Sequence, residues 1–146
     1  MFLELQTLFI RDLKKLKEEI NLYQKEVDIW KVPEGINNSA GNLCLHIVGN
    51  LNHFIGSVLF ENGYVRDRTA EFNDKNIPVS ELNKRINGTV HFFEEQFLTM
   101  EKGILNSTYP IEVFGHEMTT KFFLIHLSGH LNYHLGQINY HRRLIN

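Results

Sequence analysis

The stretch HLSGHLNYHLGQINYHRR, from His126 to Arg143, holds four of the chain's eight histidines. Two overlapping HxxxH spacings, His126/His130 and His130/His134, set imidazoles one helical turn apart, the arrangement by which one helix offers two ligands to a metal ion. At about 100° per residue, His130, His134, Gln137 and His141 share an arc of roughly 60°. His126 lies at its edge, about 40° from His130. Phe123 and Leu127 share this face while Arg142 and Arg143 point away from it, so the imidazoles belong to a partly apolar, inward surface.

One helix does not complete a coordination shell, and a partner is found in NLCLHIVGNLNHFIG (Asn42 to Gly56). The second helix is apolar almost all round apart from one polar stripe, His46, Asn50, His53 and Ser57, which fall within about 60° of one another. A helix greasy elsewhere is buried, and buried polar groups need partners. His46 facing His130 and His134 satisfies that need with a cation between them. Three neutral imidazoles suit Zn²⁺ and leave a fourth position for water or substrate, although nickel, iron or cobalt accept the same donors. Asn50, His53, Gln137 and His141 are then the candidates for orienting ligands or substrate, since a ligating imidazole needs its other nitrogen fixed.

Each of these residues also has a plainer reading. A single histidine on an apolar face is ordinarily a hydrogen-bonded core residue, and His53 and His126 taken alone default to that. His91 and His116 read as surface or loop residues, and Glu94 and Glu95 as a solvated acidic face. Cys44 lies about 160° round the helix from His46 and reads as a small core residue, not a nucleophile. No Glu-x-x-His occurs, which argues against a ferritin-type di-iron site.

The elements that must carry these groups are helical. Leu5, Leu8, Phe9, Leu13, Leu16 and Ile20 recur at three-four spacing and predict a helix from Phe2 to about Val27. Pro33 and Gly35 interrupt, and Asn38 or Ser39 caps a second helix from Ala40 to Asn62, stopped by Gly63. A long polar connection, Gly63–Pro78, precedes a third helix capped by Ser80 and stopped at Gly103. Ile104–Met118 has room for a short extended piece. Thr119 or Thr120 caps a final helix reaching about Leu144. Residues 1–146 thus form a single all-α domain, most economically an antiparallel four-helix bundle in which one long connection crosses an end.

Composition narrows the setting. Apolar residues make up 42% and charged residues 22% of the chain, with a formal net charge of −2 and mixed signs. That balance gives no basic footprint for nucleic acid. Glu4 interrupts the first apolar turn, so the N-terminus reads as a domain helix and not a secretory signal. No uninterrupted run of eighteen apolar residues occurs, so no membrane span is expected. With a lone cysteine, the expected setting is soluble and cytoplasmic.

The residues LHIVGN in the second helix, RDRTAEF (Arg66 to Phe72) and HLNYHLGQ in the last helix, taken in that order, resemble the DinB/YfiT-like superfamily of four-helix-bundle metalloproteins, in an uncharacterised branch. The resemblance spans nearly the whole chain. It implies an up-down-down-up bundle, often a homodimer, binding a divalent ion such as zinc or nickel on His46, His130 and His134. Gly136 and Gln137 match the Gly-Gln that follows the last ligand. Leu135 departs from the usual His or Arg, and His126 matches no ligand. Characterised relatives include S-transferases, and an isomerase, that use low-molecular-weight bacterial thiols.

The expected function is therefore that of a metal-dependent enzyme on a small molecule, thiol S-transferase-like or hydrolase-like, with a thiol or water as nucleophile. The alternatives are a non-catalytic metal-binding or sensor module, whose site a fourth protein ligand would close, and a metal-free dimerisation module. In the last case Phe2, Phe9, Phe92, Phe93 and Phe97 are the candidate seam, with core packing as their plainer role.

Overall fold

The computed structural model describes residues 1–146 as an all-helical fold without a strand. Its elements are α1 (Phe2–Asn21), α2 (Ala40–Leu51), α3 (Val58–Phe60), α4 (Arg68–Asn73), α5 (Val79–Glu95) and α6 (Thr120–Ile145). A π turn (Asn52–Ser57) joins α2 to α3 without a break in the helical path.

The three-four stripe of α1 is the stripe that is buried: Leu5, Phe9, Leu13, Leu16 and Ile20 all face inward. The helix ends at Asn21, not near Val27. Asn is a poor helix former, and here its side-chain amide donates back to Lys17 O at 2.6 Å. The chain then turns Tyr23 into the core and forms a 3₁₀ turn at Glu26–Trp30.

Ser39 does cap α2, accepting from the Asn42 N–H at 3.1 Å while its hydroxyl donates to Asn42 Oδ1 at 2.6 Å. Every residue of α2 is buried. Ser39→Ala is expected to cost about 1–2 kcal/mol, read as a lower urea midpoint at unchanged slope.

Ala40–Phe60 is long and apolar enough, by length and composition alone, to cross a bilayer, although polar residues interrupt its apolar run. Most of it is buried inside this fold, as in the core helix of a globular protein.

The π turn begins at Asn52, whose Nδ2 donates to Val48 O at 2.8 Å and to Thr89 Oγ1 at 2.8 Å, beside the bond its own backbone N–H makes to Val48 O. Tyr109 OH donates to Phe54 O at 2.7 Å within the turn and ties the late loop to this helix.

The connections on either side of α5 differ from expectation. The polar stretch after Gly63 contains α4, whose first turn is capped by Asp67 accepting from Ala70 N–H at 2.9 Å. Helix α5 begins at Val79 after Pro78, so Ser80 lies inside the helix instead of capping it. The Val79 N–H is met by Glu26 Oε1 at 2.8 Å, which removes the need for a serine cap. Helix α5 also stops at Glu95, and two 3₁₀ turns (Phe97–Thr99 and Lys102–Asn106) replace the continuation toward Gly103. The extended piece amounts to one antiparallel bridge, Thr108 to Thr119, with Thr119 capping α6.

Helix α1 packs on α5 and α6, and α2 packs on α4, α5 and α6, around one continuous hydrophobic core. Phe9, Phe93 and Phe97 are fully buried, with Phe9 and Phe93 stacked at 4.7 Å between centroids. Phe92 is also buried and Phe2 packs against the edge of this group, so the five phenylalanines serve the core and form no outer seam. On the other flank, Glu19 accepts from Arg142 Nε at 2.6 Å and Asn139 Nδ2 at 2.7 Å, fixing α6 against α1.

Candidate metal centre

Helices α2 and α6 pack so that His46 meets His130 and His134. The Nε2 atoms of His46 and His130 are 3.3 Å apart, and those of His130 and His134 are 3.1 Å apart. One ligand atom from each of the three residues lies within 4.8 Å of the others. Nitrogens at about 2.0–2.1 Å from a tetrahedral ion stand about 3.3–3.4 Å from each other, so the two short separations have the spacing of ligands.

The outer nitrogens fix the tautomers. His46 Nδ1–H donates to Glu71 Oε1 at 3.0 Å, and His134 Nδ1–H donates to Gln137 Oε1 at 2.7 Å. Both residues therefore turn an unprotonated Nε2 inward. At most one proton, on His130, remains to serve three converging nitrogens. A cation satisfies that cluster better than any hydrogen-bond pattern its own atoms can make.

Glu71 is itself held. Arg66 donates from Nε to Oε2 and from Nη2 to Oε1, both at 2.8 Å, as a bidentate pair. Burial raises the Glu71 carboxyl, but hydrogen bonds from Arg66 and His46 outweigh it and hold it below its ordinary value. Gly49 makes room for this: a Cβ there would collide with the Glu71 carboxylate. The glycine of LHIVGN is thus required by the approach of α4 to α2.

Burial, with the neighbouring His134, His46, His126 and Arg66 adding to it, pushes His130 down to about 4. Burial also lowers His134, against the opposing hydrogen bond to Gln137. Both imidazoles are neutral and ligand-ready near pH 7. In the metal-free chain, the unfolded state binds the His130 proton below about 6.5 while the native state resists it down to about 4. Stability should therefore be fully present above that window and fall as pH drops through it. Denaturant midpoints of chelator-treated protein between pH 7 and pH 4 measure this.

The remaining candidates separate. Gln137 belongs to the centre through His134. Asn50 is buried one turn beyond His46, and its Oδ1 is enclosed without any partner. His53 is half-buried, edge-on to Phe54 at 4.8 Å, and lowered by burial and by the Arg66 charge. His141 does not join them: its Nδ1 accepts from Tyr23 OH at 2.6 Å and its Nε2–H donates to Lys31 O at 2.9 Å. It shares the helix face of His134 but sits about 10 Å further along the axis, where it clasps the segment after α1.

His126 is exposed and stacks on His130 at 6.1 Å without joining the converging group. Cys44 is buried and its thiol is pushed up to about 12 by burial, which leaves it a core residue. Glu94 pairs with Lys14 at 3.0 Å on the surface, and His91 and His116 are exposed.

Glu71 and Arg66 are the functional residues that spacing did not single out. Both lie in RDRTAEF, a stretch that marked a resemblance but no role, because an acid in a polar connection carries no periodic signal. No protein-family model, curated protein or solved structure matches this chain.

Proposed function

We propose that the chain is a divalent-metal-dependent enzyme of DinB-like architecture, with its four long helices in an up-down-down-up bundle and His46, His130 and His134 holding the ion. The observation that carries this reading is three imidazole nitrogens converging with no fourth His, Cys, Asp or Glu in the group. The Glu71 carboxylate against His46 is already taken by Arg66 and the His46 ring. A three-ligand set with an open position is the catalytic pattern, whereas a structural ion calls for a closed shell.

When bound there, zinc or nickel supplies Lewis acidity that lowers the pKa of a thiol or water toward neutrality. The chain's own residues do the rest. Glu71 and Gln137 hold the imidazoles in one tautomer and one orientation. His53 is neutral, half-buried and free of partners, so it is placed to take up a proton. Asn50 offers an unpaired amide oxygen one helical turn from His46. With no activated nucleophile in the protein, the nucleophile comes from outside, which favours transfer of a small thiol first and hydrolysis second.

A homodimer completes the proposal. Its support is one exposed stripe along α6, where Phe122, Ile125, Gly129, Tyr133, Gly136, Tyr140 and Leu144 fall within about 100° of arc. A Cβ built at either glycine of this stripe would meet nothing within 4 Å.

The test is turnover by ion-loaded and chelator-stripped chain, with a panel of bacterial thiols against an alkyl halide electrophile, beside simple esters and amides. Thiol consumption confined to loaded protein is expected. Ion-dependent ester or amide cleavage without thiol would establish the hydrolase instead. Equal rates from loaded and stripped protein would overturn the enzyme.

A further inference from the structure

The charges around the triad do not close once an ion is in place. Arg66 and Glu71 neutralise each other, an imidazole ligand brings no charge of its own, and the two positive charges of a divalent ion then face a partly buried site without a counter-charge. Uncompensated charge in such a place is costly, and a bound anion relieves it. The Arg66 side chain is 12% exposed, and its bonds to Glu71 use only Nε and Nη2. Nη2 also lies 3.3 Å from His46 Nδ1, which places the guanidinium directly behind a triad ring. Nη1 makes no hydrogen bond to the protein and is not enclosed, so one end of a largely buried guanidinium is open to a ligand.

A second unused group stands on α2 itself. Asn50 is 7% exposed, stands one helical turn from His46, and has an enclosed Oδ1 that accepts from nothing. A buried carbonyl oxygen left so asks for a donor. The two groups are complementary in kind: the open guanidinium end favours an anionic acceptor, and the enclosed amide oxygen needs an N–H or O–H.

Resting on the three-histidine reading, we propose that the centre recognises a small organic acid that also carries a hydrogen-bond donor. Its acid group is taken by Arg66 Nη1 and its donor by Asn50 Oδ1. A neutral molecule of the same size satisfies neither the ion's charge nor the guanidinium.

The test uses the full chain loaded with Co²⁺, whose visible absorption reports ligands at the centre, and compares mercaptoacetate with mercaptoethanol. Cobalt content is measured first. The expected result is about tenfold tighter binding of mercaptoacetate, the size of a charge-assisted hydrogen bond. Arg66→Lys keeps a cation beside Glu71 but removes the guanidinium end, and should retain cobalt while losing that preference. Asn50→Leu should retain cobalt and weaken cysteine, which brings an ammonium donor, more than mercaptoacetate. Equal affinities for the two thiols in loaded wild-type protein would overturn the acid subsite and leave the triad standing. A preference surviving in Arg66→Lys would show plain chelation of cobalt and overturn it too. Wild-type protein that takes up no cobalt would overturn both readings.

Discussion

His130→Ala is expected to leave the chain folded and strip it of divalent ion: elemental analysis of protein purified without chelator should fall from about one ion per chain to near zero. The expectation follows from the geometry. His130 Nε2 is the shared neighbour of the other two, at 3.3 and 3.1 Å, so its removal leaves His46 and His134 without the nitrogen that bridges them. Four-ligand zinc sites are worth about 10–16 kcal/mol, or about 2.5–4 kcal/mol per ligand, which translates to weakening of about 100- to 1000-fold. The fold should survive because the ring is only half-buried, and its loss relieves a crowd of lone pairs. His91→Ala, on an exposed turn of α5, serves as the control and should keep its ion. Equal ion content in wild type and His130→Ala would dismiss the triad.

The second large effect is expected at Glu71, with two separable parts. Glu71→Gln keeps an acceptor for the His46 Nδ1–H but removes the charge that makes the ring a stronger donor to the ion, and should weaken affinity by about 10- to 100-fold. Glu71→Ala leaves Arg66 largely buried with no carboxylate opposite it, and should destabilise by about 3–5 kcal/mol. Competition with a chromophoric chelator measures the first and urea unfolding of stripped protein the second. If Glu71→Gln binds the ion as tightly as wild type, the carboxylate orients nothing and serves only to hold α4 on α2.

Much of this arrangement is legible in the chain itself. The stripe of α1 and the polar line of His46 and Asn50 follow from helical period alone, because an α-helix repeats its faces every few residues whatever surrounds it. The caps Ser39 and Thr119 are legible for the same local reason. Period gives angle but not height, which is why His141 shares a face with His134 and yet serves Tyr23 and Lys31. It also says nothing of connections. Glu71 reaches the centre only because α4 folds back over Gly49, and Glu26 displaces Ser80 as the cap of α5 only because two distant segments meet. The Asn52–Thr89 hydrogen bond at the start of the π turn likewise spans thirty-seven positions. Local rules could not have found any of the three.

Eighty-four positions separate His46 from His130, and twenty-five separate His46 from its carboxylate. In the denatured ensemble these groups are strangers, so no competing cage forms there beyond the weak pair on one helix. On the proposed reading, cation affinity is consequently a property of the closed fold alone, and every increment of binding is an increment of folding free energy. At one hundred times the dissociation constant that linkage is worth about 2.7 kcal/mol, a sizeable part of what holds a domain this small together. Cellular scarcity of the right cation would then show itself first as shortened protein lifetime, before any loss of turnover per intact molecule.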